Sequence, residues 1–231
     1  MIAAQARELS ELLRENSQLE MAQNDTKAIA ATQTALTMAA ATAATLSEVA
    51  ITAVSYLTVA QRHEIAQELG ALLGRVRSLR QSFNSQSKQQ TVPLGLLGKD
   101  IVATHEKIDA HWRTYTQAEA KPHLDLLGLV STLPEVQQHA QRLRALETHL
   151  LSAQQQKAPR RTQQFVAFHT IIQEFDEMVG SVVNLTPEVK AFLSGVRVGR
   201  ATLGDLSPEV LAWCREGGRA QAFRIHFGPA N

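Results

Sequence analysis

No glycine interrupts the first 69 residues of this 231-residue chain, and no proline the first 92. These two residue types are the strongest helix breakers, so their absence argues against a loop-rich or β-rich N-terminal half. A single cysteine, Cys214, excludes an internal disulfide framework and fits a reducing compartment. Aromatic residues are scarce at the front: nine of eleven lie after residue 110, leaving only Tyr56 and Phe83 before it. Large rings build compact cores, whereas small side chains let long helices approach closely, so an elongated first half and a more globular C-terminal end are expected. An excess of charge is missing as well. The 23 basic and 22 acidic side chains leave a formal charge of +1, so nothing global steers the chain to nucleic acid or anionic lipid. Met1-Ile2-Ala3-Ala4 leads into charged, helix-forming sequence without the basic and apolar regions of a signal peptide, and a cytoplasmic location is expected.

What is present is helical pattern. Alanine, leucine, glutamine and glutamate dominate the breaker-free stretch, and Asn24-Asp25 is its one interruption, since both residues favour caps and turns. The pattern predicts one helix over about 3–23 and a second over about 26–82. Positions 29, 36, 43, 50 and 57 are Ile, Leu, Ala, Ala and Leu; positions 32, 39, 46, 53 and 60 are Thr, Ala, Leu, Ala and Ala. Two such rows of apolar or small residues make a narrow helix–helix seam. The phase slips near Gln61-Arg62-His63, and a clearer stripe follows: Ile65, Leu69, Leu72, Val76, Leu79 and Phe83. A polar, unpatterned run near 84–93 then reads as a linker.

A third helix is predicted from about 96 to 117, ended by Lys121-Pro122. The apolar run from Leu124 to Val130 fits either a short helix or a strand. Leu133-Pro134-Glu135-Val136 opens a fourth helix, closed by a polar linker near 154–161, and a fifth carries Phe165, Phe168, Ile172, Phe175, Val179 and Val182. The C-terminus contains a near-repeat. Leu185-Thr186-Pro187-Glu188-Val189 returns 21 positions later as Leu206-Ser207-Pro208-Glu209-Val210. Each copy reads as the start of a helix: a capping hydroxyl, a proline where no N–H is needed, and an acid at the positive end of the dipole. Two short helices are therefore expected, stopped by Gly217-Gly218, and Phe223-Arg224-Ile225-His226-Phe227 alternates as a terminal strand would. The expected fold is all-α: an elongated antiparallel helical bundle or coiled coil over 1–183, with a compact helix–helix–strand module over 184–231.

The chemistry-bearing residues form no catalytic constellation. Neither His-Glu-x-x-His nor Glu-x-x-His occurs, so no metal ligand set is expected. His105 and Asp109 share a helix face and are expected to form a surface hydrogen bond or salt bridge. No glycine-rich phosphate loop or Gly-x-Ser-x-Gly elbow is present, and Cys214 beside Trp213 reads as a buried small residue. No cofactor and no enzymatic activity are expected. Two basic groups remain. Arg75, Arg77 and Arg80 oppose a helix C-terminal dipole or contact an anion, and Arg160-Arg161 lies in an exposed loop with Lys157.

The function expected from this pattern is a non-enzymatic scaffold or accessory subunit in a larger bacterial protein complex. It would pair with itself or with another subunit through Ile65, Leu69, Leu72, Val76, Leu79 and Phe83, and through Trp213, Phe223, Ile225 and Phe227. A second reading is a membrane-active helical hairpin of the pore-forming type, drawn from the uncharged stretch 28–47; its threonines oppose insertion. A third is nucleic-acid binding, because the last helices and strand resemble, in order only, a winged helix-turn-helix. Its recognition helix would carry Glu209 and Glu216 against one base, Arg215, which opposes phosphate attraction.

Overall fold

A computed structural model describes residues 2–19, 26–84, 91–131, 133–183, 185–197, 199–216 and 219–220. The described residues are helical and contain no strand. The order is α1 (Ile2–Leu19), α2 (Thr26–Ala53), α3 (Val59–Asn84), α4 (Thr91–Val130), α5 (Pro134–Gln137), α6 (Ala140–Gln155), α7 (Thr162–Val183), α8 (Pro187–Arg197), a 3-10 turn (Leu203–Asp205) and α9 (Pro208–Arg215). The expected terminal strand lies outside the described residues. Two compact units emerge, one of Met1–Tyr115 with Gln156–Val166, the other of Thr116–Gln155 with Ala167–Asn231. The division between them falls within α4 and α7.

In the first unit, both heptad rows of α2 point inward. Leu36, Ala43, Ala50 and Leu57 are buried, as are Thr32, Ala39, Leu46 and Ala53. Ala60 is exposed because the chain has already turned. The single helix expected over 26–82 is broken at 54–58 without glycine or proline. Thr58 and Gln61 form a reciprocal cap there. The Thr58 backbone N–H donates to Gln61 Oε1 at 2.9 Å, and the Gln61 N–H donates to Thr58 Oγ1 at 3.3 Å. Arg62 Nε also donates to the Leu57 carbonyl at 2.9 Å, closing the turn. The phase slip at 61–63 is the sequence trace of this reversal.

Cross-helix pairs fix direction. Glu8 meets Arg77 and Glu15 meets Arg80, so α1 runs parallel to α3. Gln61 meets His111, Glu64 and Glu68 meet Lys107, and Arg75 meets Asp100, so α4 runs antiparallel to α3. Between them lie the buried side chains of Leu9 and Leu13, Ile65 and Leu69, and Ile101 and Ile108. Each leucine or isoleucine so buried contributes roughly 1.5–3 kcal/mol, whereas an alanine removes far less apolar surface. The aliphatic stripes of α1, α3 and α4 therefore carry more of the hydrophobic stabilisation than the alanine-rich seam of α2.

In the second unit, α4 continues through Lys121-Pro122, where a helix end was expected, and Leu124–Val130 is its last segment. Pro122 is exposed, and so is Ala118, whose carbonyl loses its i+4 donor and can be hydrated instead. Burial of Leu127 and Val130 beyond the proline holds the helix together. The near-repeat forms caps as its grammar requires: Val189 N–H donates to Thr186 Oγ1 at 3.4 Å and Val210 N–H to Ser207 Oγ at 3.2 Å. The partial copy at Leu133 has no side-chain cap, and α5 lasts four residues. After α8 the chain turns at Gly199, whose φ of 67° suits glycine.

Candidate interaction surfaces

Most of the residues expected to dock a partner are occupied inside the chain. Ile65, Leu69, Leu72 and Val76 are buried in the first unit, and Leu79 is half-buried. Trp213 is buried in the second, its indole N–H donating to the Val183 carbonyl at 3.0 Å. The side chain of Phe83, and all of Phe223, Ile225 and Phe227, lie outside the described residues.

The helix-end arginines are also engaged. Arg75 pairs with Asp100, Arg77 with Glu8 and Arg80 with Glu15, so each reaches a carboxylate of a neighbouring helix. These pairs are largely exposed and add little stability individually, but they occupy the cations that an external anion would need. Lys107 bridges Glu64 and Glu68 on the same side of α3. The shared ammonium holds the Glu64 carboxyl below its ordinary range, and the two carboxylates raise Lys107.

Arg160 and Arg161 differ. Both are exposed in the loop before α7, and neither they nor Lys157 makes an ion pair among the described residues. The loop itself is held firmly. Gln164 Oε1 accepts from the backbone N–H groups of Arg160 and Arg161 at 2.8 and 3.2 Å, and Asp109 Oδ1 accepts from the Ala158 N–H at 2.8 Å.

Asp109 corrects an expectation. The expected i,i+4 pair forms, with Asp109 Oδ1 3.9 Å from Nε2 of the half-buried His105. Asp109 itself is 8% exposed, however, and so is a buried anchor where a surface residue was expected. Its helical spacing was legible; the loop that covers it, from 49 residues onward, was not. Burial holds the His105 imidazole below its ordinary pKa against the opposing pull of Asp109, while Lys157 and Arg160 push the same way as burial. Beside it, Tyr56, Trp112, Tyr115 and Phe165 gather with ring centroids 5.0 to 6.3 Å apart. Burial, then Asp109, raises the Tyr56 phenol. Such ring spacings are those of a packed aromatic cluster.

One surface was not singled out by the sequence. On α2, Ala30, Thr34, Thr37, Ala41, Ala44, Glu48 and Ile51 are all exposed and follow steps of four and three. They form a second seam, opposite the buried one, with a single charge. Met38, on its flank, is 67% exposed. Thr34 and Thr37 donate their hydroxyls to the carbonyls of Ala30 and Gln33, both at 2.8 Å, and Thr42 does the same to Met38. Their O–H donors are satisfied within the helix, which lowers the cost of covering them.

Among the described residues no three His, Cys, Asp or Glu side chains are grouped as a metal site. No family model, curated protein or solved structure matches the chain.

Proposed function

We propose that this protein is a non-enzymatic helical assembly subunit, acting in the cytoplasm by holding protein chains together. The observation that carries the reading is the outer seam of α2, exposed yet without charge from Ala30 to Ala44. A helix face serving only to meet water is usually charged. A long face of small residues instead suits close helix-on-helix packing in an antiparallel coiled-coil manner, with interaxial distances near 8 Å. The alternating tail Phe223-Arg224-Ile225-His226-Phe227 is a second element of this reading, as a strand added to a partner's sheet edge. Isolation of the cross-linked native complex, followed by mass spectrometry, tests the assignment. A reproducible stoichiometric partner or self-association supports it, and a chain recovered only as a free monomer overturns it.

Membrane action is a second reading with one specific support. The stretch Ala30–Ala53 is long and apolar enough to cross a bilayer by length and composition. Release of dye from liposomes at micromolar protein would favour it over assembly.

A further inference from the structure

We propose that the outer seam of α2 pairs with the same seam of a second copy of this chain, antiparallel about a two-fold axis between Thr37 and Met38. The inference rests on the assembly reading and adds to it the partner and the register. Charge placement carries it. The stretch between Lys27 and Glu48 contains no charged residue, and these two opposite charges stand 21 residues apart, which is three heptads. They therefore occupy the same register position at the two ends of an uncharged strip. In an antiparallel pair of identical helices, each Lys27 lies opposite the partner helix's Glu48. In a parallel pair, like charges would meet at both ends, which is unfavourable. An isologous dimer has a two-fold axis, and helices related by an axis perpendicular to them are antiparallel, so symmetry and charge select the same arrangement.

The side chains between the charges suit this register. Thr34 faces Ala41 across the axis, and Ala31 faces Ala44. Only the central layer, where Thr37 meets the exposed Met38, holds a large side chain between the charged ends. The backbones can therefore approach to about 8–10 Å, where dispersion contacts run along the length of both helices. The internally bonded threonine hydroxyls enter the interface without stranded donors. The strip from Ala30 to Ile51 is about 33 Å long and one helix wide, at 1.5 Å per residue. That is smaller than the roughly 800 Å² per partner of a standard stable interface, so the dimer is a reversible one.

Sedimentation and cysteine cross-linking test the register on the full chain. In a Cys214→Ser background, Thr37→Cys places the two sulfurs beside the axis and is expected to oxidise to a disulfide dimer. Ala44→Cys leaves the two cysteines about 20 Å apart along the helices, far beyond disulfide reach, and is expected to form no disulfide across the dimer under oxidation. Glu48→Lys and Lys27→Glu should each weaken the dimer at least tenfold, and the double swap should restore it. Ala41→Lys should abolish it, with helicity and melting unchanged by circular dichroism. Cross-linking at Ala44 but not Thr37, or a swap that fails to rescue, overturns the pairing. Flotation of the wild-type chain with phosphatidylcholine vesicles, lost in Ala41→Lys, would assign the face to lipid and also overturn it. A chain monomeric in isolation but captured with a different subunit in the cross-linked native complex overturns this pairing alone. A chain monomeric in both settings overturns the assembly reading too.

Discussion

The buried carboxylate of Asp109 accepts the backbone N–H of Ala158, 49 residues further along the chain, at 2.8 Å. This bond ties the loop before α7 to the middle of α4. Removing the acceptor leaves a buried N–H without a partner, at a cost of about 1–3 kcal/mol. Asp109→Ala should lower the urea midpoint accordingly. Asp109→Asn keeps a carbonyl oxygen in place and should lose less. Equal losses in the two variants would show that charge, not acceptance of the Ala158 N–H, is what matters at this position.

His105 gives the fold a pH dependence of definite sign. Its folded-state pKa is held below the ordinary imidazole value of about 6.5, mainly by burial. The unfolded chain therefore binds the proton more readily, and stability rises with pH through this window. The contribution is fully present above pH 6.5 and is lost as pH falls from there towards the depressed folded value. Urea denaturation across this range should show a decline on acidification that His105→Gln flattens. An unchanged slope in that variant would place the proton uptake elsewhere.

Arg219 is 7% exposed and, besides pairing with Glu216 at 3.4 Å, joins three further contacts. Its Nε donates to Glu135 at 3.0 Å, one Nη donates to the Trp213 carbonyl at 3.2 Å, and its guanidinium lies 4.9 Å from the centre of the Trp213 ring. Arg219→Ala strands a carboxylate and a carbonyl and should destabilise the second unit by about 2–3 kcal/mol. Arg219→Lys cannot reproduce the planar fork and should recover only part of this. Trp213 fluorescence in a urea titration reports both.

Pro122 is a natural target for stabilisation. Its substitution by alanine restores the hydrogen bond to the Ala118 carbonyl inside α4 and relieves the ring clash. The interior-proline penalty is about 3 kcal/mol, offset by about 1 kcal/mol of lost rigidity in the unfolded chain. Pro122→Ala should therefore stabilise by roughly 2 kcal/mol, seen as a higher melting temperature in circular dichroism.

The turn between α2 and α3 depends on the reciprocal cap of Thr58 and Gln61. Thr58→Ala should cost about 1 kcal/mol, and adding Gln61→Ala should cost less than the sum of the single changes because the two caps act as a unit. A double-mutant cycle in urea measures this directly.

Local rules were legible and tertiary ones were not. Leu36, Ala43 and Ala50 announced their burial by spacing, and Ser207 its capping role by type. The Thr58-to-Gln61 cap was also written in the sequence, as a capping-box pattern concealed within a breaker-free run. Periodicity marked Ile65 to Val76 as a buried face but carried no information on whether the covering helix belongs to the same chain. Pro122 stays helical because Leu127 and Val130 beyond it are buried, a packing gain invisible to local propensity. Arg219 and Asp109 owe their roles to partners 84 and 49 residues away, for which single-sequence spacing holds no signal.

The two tryptophans fall one to each unit, Trp112 in the first and Trp213 in the second, and both are buried. The chain thus comes supplied with two intrinsic fluorophores that report separately. Trp112→Phe leaves emission from the second unit alone, and Trp213→Phe leaves that of the first. Whether the molecule melts as one cooperative body or as two can then be read from its own light, without any label.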